Sequence, residues 1–421
     1  MAKTVALYTV IHQPRRLKLP AQPIAPARSK AELVANMEAA FFDEAANARY
    51  LEKVAEKCYR PALAMFSELA EAGLAFNVGI SLSWLRQLDL WDAPLREQFE
   101  QFVARDNVEL IGVEPYHSFL FYLDIAAFVE RMIWMRDELK RQFGKSVRVT
   151  DTTEMHMSHE VYAALRQAGF DGTVMDGRPW VFEWRETSHL YRPAGSAPGG
   201  PALIPRHFKL SDDVGYRFSN KGWEGWPLLA STYADWINDA AGDFVMLGWD
   251  FETFGEHHWV DTGIFDFMRA LPGELAQREI EVVNLSELVR RHGHQPFELP
   301  LPTFGSTWAG SGGMEFFLGN AVQHSIFLLM HHAYNAAKLT GEAEFVDLAM
   351  LLAQSDNLHL LQWWGTGGGS EAEVSAYFTP QEWWAVGAQQ IPVEIQRVFG
   401  NFIQAMTAHA PSKPKRKSAR T

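Results

Sequence analysis

The chain predicts an α/β fold, a parallel barrel or doubly wound sheet, followed by a helical domain. About seven short β-branched or apolar runs alternate with longer amphipathic stretches over some 290 residues, the pattern of strand-plus-helix units. One run, Phe244-Val-Met-Leu-Gly-Trp249, is apolar throughout, as a strand buried on both faces must be. Beyond residue 305 the strand pattern stops and apolar residues recur at i, i+3 and i+4.

In chain order, strands are expected at Thr4 to Ile11, Ala75 to Ser81, Val108 to Gly112, Val147 to Thr150, Gly172 to Asp176, Phe244 to Trp249 and Glu279 to Val283. Helices are expected between them at Ala31 to Lys57, Trp84 to Ala104, Ile125 to Phe143, His159 to Ala168 and Ile264 to Ala270. From Arg178 to Trp226 the pattern breaks into an aromatic, Pro/Gly-rich loop with a hairpin near Thr187 to Phe208, the kind of segment that shapes a substrate site. The run from Arg291 to Gly305 carries three prolines and no periodicity, and reads as a linker between 1–290 and 306–410. Helices at Gly319 to Thr340, Ala343 to Gln354 and Pro392 to Ala410 then form the second domain. Residues 411–421 read as a disordered basic tail.

Composition narrows the function. The net charge of −13 becomes −18 without the five basic residues of the tail, which argues against nucleic-acid and anionic-membrane partners. No apolar run is long enough to span a bilayer, and the N-terminus reads as a strand rather than a signal peptide, so a cytoplasmic protein is expected. A single cysteine, Cys58, excludes an internal disulfide and a cysteine-rich zinc site. Fifteen tryptophans against eleven tyrosines is a surplus that suits cores and ligand-stacking grooves alike.

In a parallel barrel the reactive groups project from the carboxyl ends of the strands. Those ends hold His12, the run from Glu109 to His117, Thr152-Thr153-Glu154, and Asp250-Phe251-Glu252-Thr253-Phe254-Gly255-Glu256-His257-His258-Trp259. Acids interleaved with aromatics suit a sugar site, where carboxylates move protons and rings stack on sugar faces. Asp and Glu also cap helices, and a lone histidine is more often a satisfied core residue.

These segments carry a family resemblance. Val10-Ile11-His12-Gln13-Pro14, Asn107-Val108-Glu109-Leu110, Thr152-Thr153-Glu154, the run from Asp250 to His257, and Trp308-Ala309 followed by Leu318 to Gln323 resemble, in order, the motifs of glycoside hydrolase family 57. Ser355-Asp356 and Tyr377-Phe378 also match. This is the α-amylase and 4-α-glucanotransferase family. The resemblance implies an incomplete TIM-like (β/α)7 barrel, a C-terminal helical domain closing over the site, and a retaining double displacement on α-1,4-glucans such as maltooligosaccharides, glycogen or starch. It implies no metal and no cofactor. Glu154 would be the nucleophile and Asp250 the acid/base, which requires the two carboxyls about 5 to 5.5 Å apart. For Asp250 to arrive protonated, burial and the negative charge of Glu154 and Glu252 must hold its proton. His12, Glu109, Glu252, His257, Trp249, Trp308 and Asp356 would bind substrate, with Trp308 the first of the stacking candidates.

The chain departs from the family pattern at three places. Thr152 stands where the family has Asn, Met155-His156-Met157 replaces an apolar-apolar-tyrosine run, and Gly310-Ser311-Gly312-Gly313 replaces an acid-rich stretch. Two other readings follow. His156 and His159 near Asp151, or His257-His258, suggest a metal-dependent barrel hydrolase such as a sugar deacetylase. The altered motifs suggest a glucan-binding homologue with little turnover.

Overall fold

The computed structural model describes residues 3–365 and 380–410, so the segment containing Tyr377-Phe378 and the basic tail lie outside the described residues. The chain clusters into two units: Met1–Pro14 with Ala48–Phe316, and Arg15–Asn47 with Phe317–Thr421.

The first unit is an α/β barrel. Its strands are β1 (Thr4–Ile11), β2 (Phe76–Ile80), β3 (Val108–Ile111), β4 (Val149–Thr150), β5 (Gly172–Asp176), β6 (Tyr191–Pro193), β7 (Ala202–Arg206), β8 (Phe244–Asp250), β9 (Glu281–Val282) and β10 (Phe297–Leu299). One sheet runs β3-β2-β1-β8 and a second contains β7-β5-β4, with every one of these neighbours parallel. A parallel bridge between Gly112 and Thr150 joins β3 to β4. At the other seam, His207 N–H donates to Met246 O over 2.7 Å and Arg206 Nε donates to Gly248 O over 2.8 Å, joining β7 to β8. Among the described residues, seven strands (β1, β2, β3, β4, β5, β7 and β8) thus make an incomplete (β/α)7 barrel. β9 lies beside the first two residues of β1, at the amino end, and β10 pairs with β6.

Alternation fills the interior. Ala6, Tyr8 and Val10 of β1 meet Ile111, Val149, Val174, Ala202, Ile204, Phe244 and Met246 in one buried cluster. Burying such side chains stabilises by roughly 1.5–3 kcal/mol each, which fixes the register of every strand. Tyr8 is the polar member, and its ring fits because Gly79 opposes it: a Cβ there would lie 2.6 Å from Tyr8 Oη and 2.7 Å from Val113 Cγ2. Helices between the strands start on side-chain caps, with Ser81, Asp92, Asp124 and Ser158 accepting from the first turn.

Several expectations need correction. The stretch read as one helix from Trp84 to Ala104 is two, Leu82–Trp91 and Ala93–Val103, because Asp92 caps a new start and Pro94 follows. The stretch from Ala31 to Lys57 is likewise broken, into Lys30–Phe41, Glu44–Val54 and a π-helical turn Ala55–Tyr59. The aromatic loop hides β7, a barrel strand rather than half of a hairpin, since it meets β6 antiparallel only at Tyr191 and Leu203. The 291–305 linker carries β10 and belongs to the barrel unit.

The second unit is helical. Asn320 and Gln323 form a reciprocal capping box at the start of Ala321–Thr340, which packs with Ala343–Leu352 and Ile391–His409. Residues Arg15–Asn47, expected in the barrel, belong here instead: Arg15 pairs with Glu38 and Glu44, its amide donates to Gln354, and the Phe41 ring lies 6.1 Å from that of Phe402. Among the described residues, no helix is long and apolar enough to cross a membrane.

Candidate active site

The carboxyl ends of the barrel strands gather acids, histidines and one indole. β1 continues into His12, whose Nδ1 lies 2.8 Å from Ser81 Oγ at the end of β2. Its ring stacks on His117 at 4.4 Å between centroids and 17° between planes. His117 follows β3 in a turn at φ 55°, its amide donating to Glu114 O. The buried Glu114 carboxylate accepts from the amides of Tyr116 and Ser118, at 3.1 and 2.6 Å. Burial raises its pKa to about 7 against those bonds.

After β4 the chain makes a tight turn with Glu154 at φ 61° and Met155 at φ 50°, both left-handed. Two consecutive non-glycine residues there store backbone strain, which survives only where surrounding contacts over-determine it. Thr152 Oγ1 donates to His156 O and Thr153 Oγ1 to Ser118 O, each over 2.6 Å, and the Trp308 amide donates to Glu154 O over 3.1 Å. The turn presents Glu154 to two partners. Trp308 Nε1–H donates to its Oε2 over 2.7 Å, and His117 Nδ1 lies 3.8 Å from its Oε1.

Asp250 ends β8 opposite Val10 and, by alternation, shares the inward face of Phe244 and Met246. Its charge reaches two buried acids. Asp151 accepts from Tyr8 Oη over 2.7 Å, and its pKa is raised to about 7, mainly by burial and further by Asp250. Glu252 accepts from Tyr59 Oη over 2.5 Å, and burial, then Asp250, raises its pKa to about 8. The Glu154 strand and the Asp250 strand therefore end among carboxyls whose pKa values burial lifts to neutrality or just above it.

The family model of Glycosyl hydrolase family 57 matches residues 6–302, a span containing His12, Glu154 and Asp250. The chain belongs to glycosyl hydrolase family 57. It is 31% identical over 352 residues to a Methanocaldococcus jannaschii protein named "Putative alpha-amylase", covering 80% of this chain and 74% of that one. Its fold resembles a 4-alpha-glucanotransferase from Thermococcus litoralis (TM-score 0.63, 14% identity, 94% of this chain and 60% of that one). It also resembles a branching enzyme of the same family from Pyrococcus horikoshii (TM-score 0.60, 15% identity, 98% of each chain). This family 57 chain thus spans about 60% of the glucanotransferase's length.

The site of this family 57 chain departs from several sequence expectations. Trp249 is buried to 2%, its indole N–H donates to Ser211 O, and its ring packs edge-on against Phe254, so no sugar can stack on it. Glu109 sits second in the four-residue β3 and accepts from the Ser286 amide over 3.0 Å, capping Leu285–His292 at the amino end of the strand. The carboxyl-end acid of that strand is Glu114. His257 is held beside Glu256 and His258, and burial lowers its pKa to about 4. Asp356 is no such departure: it starts the one-turn helix Asp356–His359 of the helical unit, and its charge acts on the buried His359.

Two of the histidines behind a metal-dependent reading, His156 and His258, have other engagements. His258 has Nδ1 at 2.8 Å from Ser219 Oγ and Nε2 at 3.0 Å from Gly215 O. His156 Nε2 lies 2.7 Å from Tyr122 Oη and its ring stacks on Phe121, in surroundings that lower its pKa to about 4.

Tyr8 and the buried cluster Asp176–Arg178–Arg206 are members that the sequence did not mark, whereas Glu114 and His117 stood in the strand-end run without a role and Asp151 stood only beside the metal-dependent alternative. Asp176 and Arg206 each end a strand, which is the available signal, but the sequence presents β7 as half of a hairpin rather than as a barrel strand. Arg206 reaches Asp176 at 2.9 Å and Asp212 at 2.6 Å, and its guanidinium carbon lies 5.9 Å from the Trp308 ring centre. Burial works against its charge, and the two carboxylates more than restore it.

Proposed function

We propose that the chain is a retaining glycosidase or transglycosylase acting on α-1,4-glucans through a glycosyl intermediate on Glu154. The observation that supports this most is the Glu154 turn: a strained carboxylate at a strand's carboxyl end, oriented by an indole N–H. In the first step a Glu154 oxygen bonds the anomeric carbon while Asp250 gives its proton to the departing glycosidic oxygen. In the second, Asp250 takes a proton from water or from a sugar hydroxyl as that oxygen displaces Glu154.

Asp250 is assigned the acid/base role on its place at the carboxyl end of β8, on the inward face of the barrel; its negative charge, once the proton has left, is part of what raises the pKa values of Asp151 and Glu252. His12 and His117, stacked beside Glu154, suit hydrogen bonding to sugar hydroxyls at the cleavage point. Glu252 and His257 are assigned to holding the acid/base segment. Asp356 is assigned to substrate on its motif alone.

Product analysis on maltoheptaose tests this reading. Shorter products alone mean hydrolysis, longer and shorter together mean transfer, and α-1,6 links mean branching. Glucan binding with no new oligosaccharide would overturn it in favour of a binding protein. Activity lost in EDTA and restored by zinc would overturn it in favour of a metal-dependent hydrolase.

A further inference from the structure

The Trp308 loop, roughly residues 305–313, has no regular secondary structure of its own, yet it must hold an indole nitrogen within a few tenths of an ångström to reach Glu154. Its carbonyls therefore need partners from elsewhere in the barrel unit. One side chain supplies them. Arg178, just beyond β5, donates from Nε to Thr307 O over 3.2 Å, from Nη1 to Gly310 O over 3.0 Å, and from Nη2 to Trp308 O. The same guanidinium is anchored by the fully buried Asp176, with Nε 2.6 Å from Oδ2, and lies over the Phe208 ring at 4.8 Å. Two residues on, Trp180 Nε1–H donates to Ser311 O over 3.1 Å.

The glycines of the loop fit this arrangement. Gly312 has φ +97°, and a Cβ there would lie 2.7 Å from Arg178 Cδ and 2.8 Å from Nε. A side chain at 312 would be strained and would displace the arginine stem. The run that replaces the family's acidic stretch leaves room for a cation threaded through the loop.

We infer that Arg178, anchored on Asp176, is the positioning residue that sets Trp308 against Glu154. The inference rests on the proposed role of Glu154. Arg178 acts through three carbonyls of the loop that carries the indole. A lysine offers one point charge and cannot span the three acceptors.

Two measurements test this on the full chain. The first is amide exchange, which needs no activity: Arg178→Lys and Gly312→Ala are expected to speed exchange at the Trp308 amide at least tenfold, with the barrel strands unchanged. The second is a cycle of Arg178→Lys and Trp308→Phe on maltoheptaose. Each alone is expected to lower kcat by roughly 10- to 150-fold with KM within about threefold, and the double variant is expected to be no worse than the poorer single one. Unchanged exchange in both variants, or losses that multiply in the cycle, would overturn the role of Arg178. A wild type inert on glucans would sink the proposed function alone, and the exchange result would still decide the positioning role.

Discussion

The indole nitrogen of Trp308 lies 2.7 Å from Glu154 Oε2 while the Trp308 amide donates to the Glu154 carbonyl at 3.1 Å. One residue thus grips both the side chain and the backbone of the nucleophile candidate. A donor fixed on a carboxylate oxygen favours its ionised form and sets its rotamer, and both help attack on an anomeric carbon.

Trp308→Phe keeps the ring and the amide and removes only the indole donor. A hydrogen bond to a charged group contributes about 1.5–3 kcal/mol, so kcat should fall by roughly 10- to 150-fold. Steady-state kinetics on a defined maltooligosaccharide check this. A change in KM alone would mean that Trp308 only stacks on sugar.

Trp249 and Glu109 should behave as structural residues. Trp249→Ala removes a buried ring and is expected to cost about 3–5 kcal/mol of stability. Glu109→Ala removes a helix cap and is expected to cost about 1 kcal/mol. Per folded molecule, kcat and KM should stay within about twofold of the wild type, since neither side chain reaches the carboxyl-end cluster. Denaturant unfolding paired with kinetics separates the two effects.

Much of this was legible in the sequence. The apolar β8 run followed by Asp250 marked a buried strand ending in an acid, and Thr152-Thr153-Glu154 marked another. The partners of those acids were not legible, because they come from distant strands: Tyr8 finds Asp151 across 143 positions, and Trp308 finds Glu154 across 154. β7 passes for half of a hairpin because Ala202-Leu-Ile-Pro-Arg206 is short, contains a proline and sits in glycine- and proline-rich surroundings, so the place of Arg206 at the end of a barrel strand was not legible. Trp249 misled because adjacency to Asp250 says nothing about the opposite face of a strand.

Two sets of buried groups should make stability depend on pH with opposite signs. Glu114, Asp151 and Glu252 have folded pKa values raised to about 7, 7 and 8, so their contribution is complete below the ordinary carboxylate range and is lost as pH rises through about 8. His156, His207, His257 and His359 have folded values lowered to about 4, so their contribution is present above 6.5 and is lost as pH falls towards about 4. Glu252→Gln keeps an acceptor for Tyr59 and cannot ionise. Its melting temperature should exceed that of the wild type by a few degrees at pH 9 and match it at pH 5. Equal shifts at both pH values would contradict a buried, proton-holding Glu252.

The most direct test of the central claim is to trap the intermediate. A fluorinated α-glucosyl or α-maltosyl fluoride, whose ring fluorine slows the second step, is incubated with the protein, which is then digested and mapped by mass spectrometry. One added glycosyl unit is expected on the peptide containing Glu154, absent when Glu154→Gln is treated the same way. A label on Asp151 or Asp250, or turnover of the probe to the inverted anomer with no label, would contradict it.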